Sequence, residues 1–371
     1  MNQAGPIRIL HVMPSWGVGG VQVRIVDIAS RLGEGFSHRA LGLDGCYDAL
    51  ARTPAGVDFA SAELPGPPPR GLRASLHALS ALRGRMPLDL LCTYNWGAMD
   101  WALAARLQRH APAHLHFESG FGPEEAARPL LRRSLVRRLA LARARALVVP
   151  SMTLRRLACA HRWARAERIR LIPNGVDTAF YAPPPRRRTT ADAPLRIVSV
   201  APLRREKRLD LLLRMVAVLS AERTCRLSLV GDGPMRGQLE ELAADLGIAK
   251  RVRFTGTLDD VRPALQGADI FAMTSETEQM PNALLQAMAS ALPVVAFAAG
   301  DVARILPPEQ SAFVRPQGDE RGFVAALRAL ADAPERRRAL GDANRRHACA
   351  TYPMTRMVEA YRRLYEEAVG R

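Results

Sequence analysis

Short apolar runs alternate with longer segments of helical period along the chain. The apolar run Ile7–Met13 predicts a strand, Gly17–Gly20 a turn, and Val21–Leu32 a helix. Strands that alternate with helices in this way indicate a mostly parallel sheet that is covered on both faces. The same pattern predicts further strands in the first half of the chain at His38–Leu43, Leu88–Thr93, His114–Glu118, Ala146–Pro150 and Arg168–Ile172.

A tract rich in Pro, Arg and Thr interrupts the alternation and predicts a linker over residues 182–194. Strands and helices alternate again behind it, and three helical segments close the chain. The predicted fold class is α/β, with two doubly wound, Rossmann-like domains over residues 1–181 and 195–353 that face a central cleft. We expect the last helix, 354–369, to pack back on the first domain. Ligands are expected in the cleft, because such sheets bind them at the carboxyl ends of their strands.

The charge of the chain is strongly basic, with 53 Lys and Arg against 36 Asp and Glu, a formal net charge of +17. This balance favours an anionic partner without choosing among nucleic acid, a membrane surface and a phosphorylated substrate. Aromatic residues are only 5% of the chain and no nucleic-acid motif accompanies the charge, so no nucleic-acid partner is predicted. Lysine is rare among the cations, since only Lys207 and Lys250 occur.

The cysteines and the apolar stretches bear on the cellular compartment. Five scattered cysteines without a C-x-x-C pair argue against a zinc site or a disulfide framework and suit a reducing cytoplasm. No secretory signal is recognisable, and no apolar stretch approaches the roughly 18 residues of a membrane span. The sequence predicts a cytoplasmic protein that can lie on a membrane but does not cross one.

A glycine-rich turn, Trp16–Gln22, follows the first predicted strand. Glycines let the backbone approach a ligand closely, and the helix N-terminus behind them offers amides and a positive dipole to a phosphate. A purely structural turn is the alternative. A dinucleotide-binding fingerprint, and with it a dinucleotide-dependent oxidoreductase, is disfavoured because Gln22 occupies the third glycine position.

Two turns in the second half carry comparable signals. A basic loop with Arg204, Arg205 and Lys207 follows the predicted strand Leu195–Ala201. Cations at the end of a strand suit a diphosphate, although a solvated basic loop is the alternative. One of the two lysines of this arginine-rich chain lies here, which favours the diphosphate. The turn Gly231–Pro234 follows the next strand, and a structural reason explains it equally well.

The segment Thr274–Gln279 has the densest polar character and lies between the predicted strand Asp269–Met273 and the predicted helix Pro281–Ser290. Free amides at the start of that helix can cradle a sugar or a phosphate, and Glu278 can accept hydrogen bonds from hydroxyl groups. A generic capped helix would explain Pro281 but not the polar groups before it.

The order and spacing of these segments carry a resemblance. The set Asn174–Asp177, Leu203–Lys207, Val230–Pro234 and Glu278–Ala289 resembles the motifs of a family-4 glycosyltransferase of the GT-B fold, over nearly the whole chain. Each motif alone is a weak signal, but the set of motifs in this order and at these distances is specific. The bacterial enzymes for exopolysaccharide or envelope glycan synthesis are similar in three further segments, Thr93–Gly97, Gly120–Glu125 and Thr277–Pro281.

The resemblance implies a nucleotide-diphosphate-sugar donor, held mainly by the second domain, with no cofactor and no metal. It assigns the donor phosphate and the acceptor to Gly19 and Gly20, the diphosphate to Lys207, and the donor sugar to Glu278, the first acid of the family's E-x7-E pair. The chain has no D-x-D triplet, which fits a diphosphate held by cations. The other donor-binding candidates are Gly231, Gly233, Met280, Pro281, Asn282, Ala283 and Gln286.

Three positions depart from the family pattern. Gln286 stands where the second acid, a ribose ligand, is usual, and it can accept a hydrogen bond without bringing charge. Pro202 replaces a common arginine, and we prefer Arg204 to Arg205 as the substitute cation. The loop after the predicted strand His114–Glu118 usually offers a histidine or an acid to the reacting centre. The acceptor-side alternatives in this chain are His116, Glu118 and Ser119.

Arginines are concentrated in Arg128–Arg145, where Leu131, Leu135 and Leu139 recur every four residues. One interpretation is a helix on an anionic membrane surface, to which each cation contributes about 1 kcal/mol. The alternative is a core-packed helix with a solvated basic face. A lipid-linked acceptor would favour the membrane.

These observations predict a glycosyltransferase, peripheral at the inner face of the membrane, that moves a sugar from a nucleotide-diphosphate-sugar to a glycan or lipid-linked acceptor. The family implies retention at the anomeric carbon and metal-independent catalysis, with Lys207, Glu278 and Arg204 as catalytic residues. Gln286 and Pro202 motivate an alternative, a non-catalytic sugar-nucleotide-binding or scaffold protein with a degenerate site. A nucleotide-sugar epimerase on the same fold is a weaker alternative.

Overall fold

The structure is a computed structural model that describes residues 5–64, 66, 69–120, 125, 130–183 and 193–371. The chain forms two compact units, the first of Met1–Pro173 and Arg356–Arg371, the second of Asn174–Thr355. Some predicted features lie outside the described residues, namely 184–192 of the linker, 121–124 of the Gly120–Glu125 segment, and Arg128.

The first unit is built on a parallel sheet. Its strands are β1 (Ile7–Met13), β2 (Phe36–Gly42), β3 (Phe59–Ser61), β4 (Leu90–Tyr94), β5 (Ala113–Phe117), β6 (Ala146–Val149) and β7 (Ile169–Leu171). Its helices include α1 (Gly20–Leu32), α2 (Leu72–Arg85), α3 (Met99–Leu107), α4 (Leu131–Ala140) and α5 (Met152–Ala160). The strand order β3-β2-β1-β4-β5-β6-β7 changes direction between β1 and β4. Sheets of this kind bind ligands beyond the carboxyl ends of the strands at such a switch point.

The second unit repeats this design with six strands. They are β8 (Leu195–Val200), β9 (Cys225–Val230), β10 (Val252–Phe254), β11 (Ile270–Met273), β12 (Val294–Phe297) and β13 (Val314–Arg315). The helices are α6 (Leu209–Ser220), α7 (Arg236–Asp245), α8 (Arg262–Gln266), α9 (Asn282–Ala289), α10 (Val302–Ile305), α11 (Glu320–Ala331) and α12 (Pro334–Thr351). The parallel order β10-β9-β8-β11-β12-β13 places the switch point between β8 and β11.

The last helix, α13 (Met354–Val369), packs its aromatic side chains within the first unit. The ring of Tyr361 stacks on Phe117 of β5 at 5.6 Å between centroids, and Tyr365 contacts Phe36 of β2 at 6.1 Å. Arg362 Nη2 donates to the carbonyl oxygen of Leu32, at the end of α1, at 2.7 Å. The chain therefore returns to the first sheet after completing the second.

The predicted α/β class with two doubly wound sheets is confirmed. The sequence pattern missed the short strands β3 and β13, since two or three residues at a sheet edge leave too few positions for an alternation. The pattern also predicts a helix over Lys207–Leu219 after β8, and that start is too early. Arg205–Lys207 form a 3₁₀ turn, and Arg208 has left-handed backbone angles (φ 47°), so α6 begins at Leu209.

Within the described part of the chain, no helix is both long enough and apolar enough to span a membrane.

Candidate functional site

Two charged side chains meet at the switch point of the second sheet. Lys207 ends the 3₁₀ turn that follows β8, and Glu278 lies in the loop that follows β11. Lys207 Nζ donates to Glu278 Oε1 at 2.6 Å, with the side chains only 16% and 11% exposed. Two of the predicted catalytic side chains are therefore in contact, and each compensates the charge of the other.

Hydrogen bonds hold the two loops around this ion pair against each other. The hydroxyl of Thr274 donates to the carbonyl oxygen of Lys207 at 3.0 Å, and the amide of Glu276 donates to the carbonyl oxygen of Glu206 at 2.8 Å. On the other side, Gln317 Nε2 donates to the carbonyl oxygen of Ser275 at 3.0 Å. The backbone that carries Lys207 is therefore fixed relative to the polar segment 274–279.

Gly231 and Gly233 contact the backbone of the basic loop directly. A Cβ atom at Gly231, where φ is 135°, would overlap the carbonyl oxygen of Ala201. A Cβ atom at Gly233 would lie 2.6 Å from the carbonyl oxygen of Leu203. The need for glycine at both positions thus has a structural explanation, namely that the turn after β9 supports the loop leading to Lys207.

Sequence reasoning missed a third glycine of this kind. Gly300 follows β12 with φ 53°, and a Cβ atom there would overlap the carbonyl oxygen of Glu278. The close approach fixes the backbone at Glu278. A single glycine after a strand gives no sequence signal for a contact with a loop more than twenty residues earlier.

Arg204 is exposed and lies one turn before Lys207, whose amide donates to the Arg204 carbonyl oxygen at 3.0 Å. No described residue forms a side-chain hydrogen bond or ion pair with its guanidinium. The cation is therefore available to a ligand beside the ion pair of Lys207 and Glu278.

The start of α9 is tied to the beginning of the second unit by Asn174. Its side-chain Nδ2 donates to the carbonyl oxygen of Met280 at 2.8 Å and to Asn282 Oδ1 at 2.9 Å, and Asn174 is 5% exposed. Met280 is buried, Pro281 is the N-cap of α9, and Asn282 and Ala283 are half-buried. The motif Asn174–Asp177, a turn when taken singly, thus positions the predicted donor-binding helix start.

Gln286, the departure from the E-x7-E pair, makes a specific contact. Its Nε2 donates to the hydroxyl oxygen of Tyr181 at 2.9 Å. This bond fixes which end of the carboxamide faces Tyr181, so Oε1 is the end left to accept from another group. Sequence reasoning missed Tyr181, because it and Gln286 are separated by 105 positions along the chain.

The glycine loop lies at the switch point of the first sheet. Gly19 is the N-cap of α1 with extended backbone (φ −160°), and Gly20 begins the helix and is exposed. A Cβ atom at Gly19 would meet Gln22 Oε1 at 2.7 Å, and its other close neighbours also belong to that flexible side chain. Gln22 Nε2 in turn donates to the carbonyl oxygen of Ser15 at 2.9 Å. The fold itself does not impose glycine at position 19.

The three acceptor-side alternatives differ sharply in exposure. His116 and Glu118 are 0% and 1% exposed, whereas Ser119 is half-buried. The amide of Ser119 donates to Asn95 Oδ1 at 2.8 Å, and Arg24 Nη2 donates to its hydroxyl oxygen at 3.1 Å. Ser119 therefore lies where the loops after β4 and β5 meet α1. It is the accessible member of the three.

Glu118 belongs to a buried ion cluster around Arg137 of α4. Arg137 Nε donates to Glu118 Oε2 at 3.1 Å, and its two terminal nitrogens each donate to a different oxygen of Glu125 at 2.9 Å. The guanidinium carbon also lies 4.6 Å and 5.2 Å from the ring centroids of Trp163 and Trp96. Burial is the largest single influence on the pKa of Glu125 and would raise it, but the hydrogen bonds and charge of Arg137, together with hydrogen bonds from the Leu130 amide and Arg133, leave that pKa lowered.

Buried histidines belong to two further hydrogen-bonded groups in the first unit. His11 bonds Tyr94 through Nδ1 at 2.8 Å and His38 through Nε2 at 3.0 Å, while Thr93 bonds both His114 and His116 at 2.8 Å. Burial lowers the pKa of His38 to about 4 and of His114 to about 3, and holds the pKa of His11 well below its usual value. These three histidines are therefore neutral in the folded protein at neutral pH.

The low histidine pKa values predict acid-labile folding of the first unit. The unfolded chain takes up these protons near pH 6.5 and the folded chain does not, so the free energy of unfolding should fall as pH drops from about 6.5 towards 4. In urea titrations across this range, His114→Gln should show a shallower fall than the wild type, whereas the matched change at exposed His110 should not. Equal slopes for all three proteins would contradict this account.

The arginine-rich helix α4 presents an apolar face. Leu131, Leu135 and Leu139 are 82%, 57% and 45% exposed, and the arginines Arg132 and Arg138 beside them are also exposed. Arg137, by contrast, faces the buried cluster. We call the three leucines the leucine face. The predicted core-packed alternative therefore describes one side of α4 and leaves the leucine face uncovered.

Among the described residues, no group of three or more His, Cys, Asp and Glu side chains is arranged to hold a metal ion.

Two family models match the chain, one in each half. Residues 18–180 match the family model described as Glycosyltransferase Family 4, and residues 194–333 match that of Glycosyl transferases group 1. The lipopolysaccharide core biosynthesis glycosyltransferase LpsD of Rhizobium meliloti is 32% identical over 145 residues, 39% of this chain and 42% of LpsD. The chain spans less than half the length of the first curated relatives it matches.

Solved structures are similar over the whole chain. A sucrose-phosphate synthase from Thermosynechococcus elongatus has a TM-score of 0.79 and 20% identity, covering 98% of this chain and 99% of its own. Anabaena HepE, solved in complex with UDP-glucose, has a TM-score of 0.80 and 17% identity, covering 97% and 100%. At these identities the likeness shows the GT-B fold alone. The chain therefore carries a glycosyltransferase family 4 domain followed by a glycosyl transferases group 1 domain, each matching less than half of its length.

Proposed function

We propose that the protein transfers a sugar from a nucleotide-diphosphate-sugar to a glycan or lipid-linked acceptor. The observation that carries the proposal is the ion pair of Lys207 and Glu278 at the switch point of the second sheet. A cation for a diphosphate and an acceptor for sugar hydroxyls lie there within one hydrogen bond of each other. A nucleotide-diphosphate-sugar presents the matching groups close together, because its diphosphate is bonded to the anomeric carbon of the sugar that carries the hydroxyls.

Lys207 stabilises the negative charge that develops on the leaving diphosphate, and the exposed guanidinium of Arg204 adds to it. A compact ammonium and a guanidinium fork are both strong partners of phosphate oxygens. Electrostatic stabilisation of this kind is commonly the largest catalytic contribution. Glu278 exchanges part of its contact with Lys207 for hydroxyls of the donor sugar and so orients the anomeric carbon.

We further propose that transfer retains the anomeric configuration and needs no metal, because Lys207 and Arg204 neutralise the diphosphate. The acceptor proton passes to the leaving phosphate, so no protein base is required. Ser119 is the acceptor-side residue of this proposal, since it is accessible and bonded to Arg24 of α1, the helix that begins at the glycine loop. Glu118, the residue before Ser119, is held in place by its hydrogen bond with Arg137 and so positions Ser119.

The comparisons support a nucleotide-sugar as the donor. The acceptor is proposed by analogy with the relatives. HepE binds UDP and UDP-glucose in its solved structures, and LpsD is named for lipopolysaccharide core biosynthesis. By analogy, this chain would take a nucleotide-sugar for the synthesis of an envelope glycan or exopolysaccharide. Growing glycans of this kind are often lipid-linked, which would place the enzyme at the cytoplasmic face of a membrane.

The leucine face of α4 supports peripheral membrane binding in this proposal. Three exposed leucines with arginines beside them, within the segment Arg128–Arg145, match an interfacial helix on anionic lipid. The apolar side chains enter the headgroup region while the cations meet lipid phosphates. An acceptor embedded in the same membrane would be delivered to the first unit without leaving the bilayer.

Titration with nucleoside diphosphates tests the donor site and the substitution at position 286. We expect the wild type to bind UDP, GDP or ADP through Lys207, with Gln286 Oε1 accepting from a ribose hydroxyl. Tyr181→Phe removes the bond that orients the carboxamide. It should weaken binding about three- to tenfold, as expected for one lost hydrogen bond of about 1 kcal/mol. Calorimetry on the full chain measures the dissociation constants.

The control is the double variant Tyr181→Phe/Gln286→Glu. Both oxygens of a carboxylate accept, so Gln286→Glu should strengthen binding and reduce the effect of Tyr181→Phe. An equal effect of Tyr181→Phe in both backgrounds would contradict this role of Gln286. If the wild type turns over no donor and Gln286→Glu produces large activity from near zero, the second candidate function, a sugar-nucleotide-binding relative with a degenerate site, is favoured instead.

A further inference from the structure

A cavity of about 500 Å³ opens in the first unit where α4 ends and α5 turns back towards β7. Four arginines line it, and no Asp or Glu is among its described lining residues. Like charges that share a concave surface repel each other and raise the local concentration of anions. The lining arginines are Arg138, Arg162, Arg165 and Arg168.

Three of the four guanidinium groups are uncommitted. Arg168 donates to the carbonyl oxygens of Ala142 and Ala144 at 3.1 Å and 3.2 Å. Arg138, Arg162 and Arg165 are exposed, and no described residue forms a side-chain hydrogen bond or ion pair with them. A guanidinium group without a protein partner can donate two parallel hydrogen bonds to two oxygens of one phosphate.

Arg162 occupies a position at which glycine is the usual residue. It follows the end of α5 with left-handed backbone angles (φ 51°). Its amide donates to the carbonyl oxygen of Cys159, and the next amide, of Trp163, donates to that of Ala158. This is a Schellman helix end, where glycine avoids the strain of a side chain. The fold alone would favour glycine here, so the arginine side chain needs another reason.

The cavity is continuous with the leucine face. Leu139 is 45% exposed and belongs both to that face and to the cavity lining. A ligand in the cavity therefore has an anionic part beside the arginines and an apolar part beside Leu139. A second cavity, of about 700 Å³, shares Ala142 and Arg168 and adds Arg143 and Arg145 to the basic surface.

We propose that the arginine cavity binds the phosphate headgroup of an anionic phospholipid while the leucine face lies in the same bilayer. The inference rests on the membrane binding proposed above and adds a defined site to it. General attraction of a basic surface depends on total charge, whereas a headgroup site depends on these particular arginines. The distinction can be measured, because the second unit offers another basic cavity, with five cations among its lining residues.

The experiment is flotation of the full chain with phosphatidylcholine vesicles, with and without phosphatidylglycerol. The test variant is Arg162→Gly/Arg165→Gln. The matched control, Arg226→Gln/Arg253→Gln, removes the same charge from exposed arginines in the basic cavity of the second unit. We expect the test variant to bind phosphatidylglycerol vesicles at least about tenfold more weakly than the wild type, from the usual contribution of each cation. The control should bind about as well as the wild type.

The stability of the variants separates binding from folding. Arg162→Gly should keep or raise the melting temperature, because glycine relieves the left-handed strain, and still weaken vesicle binding. A lower melting temperature with unchanged vesicle binding would overturn the inference. An equal loss of binding in the test and control variants would also overturn it, because general charge attraction would then suffice.

Two further measurements identify the source of the phosphate and test the proposed sugar transfer independently of membrane binding. Titration with inorganic phosphate that shows tight binding to the cavity, unaffected by Leu135→Gln, would replace the lipid with a soluble anion. A wild type that ignores anionic vesicles would end both the membrane proposal and this inference. Donor turnover measured in detergent-free buffer tests the transferase proposal separately, and the arginine variants should retain it.

Discussion

Replacing Lys207 with methionine is expected to lower the release of nucleoside diphosphate from the donor by about 100- to 1,000-fold, the usual cost of removing one group that stabilises developing charge. The loss should fall mainly on kcat, because the leaving diphosphate is more negative than the bound donor. Methionine keeps the length of the side chain but removes the charge that meets Glu278 at 2.6 Å. The measurement is steady-state turnover of the preferred donor.

Lys250 gives a matched control for this prediction, since it is the only other lysine of the chain and is exposed in the same unit. Lys250→Met should leave turnover unchanged. Lys250→Met should melt like the wild type, whereas Lys207→Met should melt at a lower temperature, because Glu278, only 11% exposed, loses the charge that compensates it. A Lys207→Met enzyme with wild-type kcat would remove Lys207 from the catalytic machinery.

Replacing Arg137 with methionine should destabilise the first unit by about 3–5 kcal/mol, the usual cost of leaving buried charge unpaired. Arg137 is 1% exposed and bonds two carboxylates that are each 1% exposed, Glu118 and Glu125. The variant leaves both without their main counter-charge. Chemical unfolding at pH 7.5 measures the difference in free energy of unfolding.

The pH dependence of this effect identifies its cause. The pKa of Glu125 is lowered in the wild type, so its paired carboxylate contributes stability above its unfolded pKa, and that contribution is lost as pH falls. Without Arg137, burial raises the pKa and the group can protonate. The difference between variant and wild type should therefore shrink from pH 7.5 to about 5. Arg138→Met, at the exposed neighbour on α4, should have little effect at either pH, and a constant difference for Arg137→Met would contradict the charge account.

Much of the fold can be predicted from the sequence because strands of parallel sheets are short continuous apolar runs, while the helices between them have a helical period. The limits of β1 and α13 agree with the pattern at both ends. The helix after β8 starts late because Arg208 adopts left-handed angles, which no pattern of apolar residues reports. The edge strands β3 and β13 depend on pairing with a neighbour rather than on their own composition.

Some residues of the candidate site can likewise be predicted from the sequence, and others cannot. Lys207 and Glu278 are recognisable because charged residues directly follow predicted strands, and the topology brings neighbouring strand ends together. Tyr181 and Gly300 are not recognisable, since their importance lies in contacts with Gln286 and with the Glu278 carbonyl oxygen. Such contacts between distant segments require the folded chain.

The burial of the side chains also distinguishes the three acceptor-side alternatives. From the sequence, His116, Glu118 and Ser119 are equivalent positions at the end of one strand. In the structure, Glu118 is committed to Arg137 and His116 to Thr93, while Ser119 keeps an accessible surface. The arginine that binds Glu118 comes from α4, whose arginines the sequence pattern could assign only to a membrane or to solvent.

The most direct test of the central claim is turnover of a panel of nucleotide-diphosphate-sugars by the full chain, followed as release of nucleoside diphosphate with and without a glycan acceptor. We predict that at least one donor is consumed, that an acceptor accelerates its consumption, and that Lys207→Met slows the reaction about 100- to 1,000-fold while Lys250→Met does not. No release from any donor, or release that survives Lys207→Met unchanged, would contradict a transferase centred on Lys207 and Glu278.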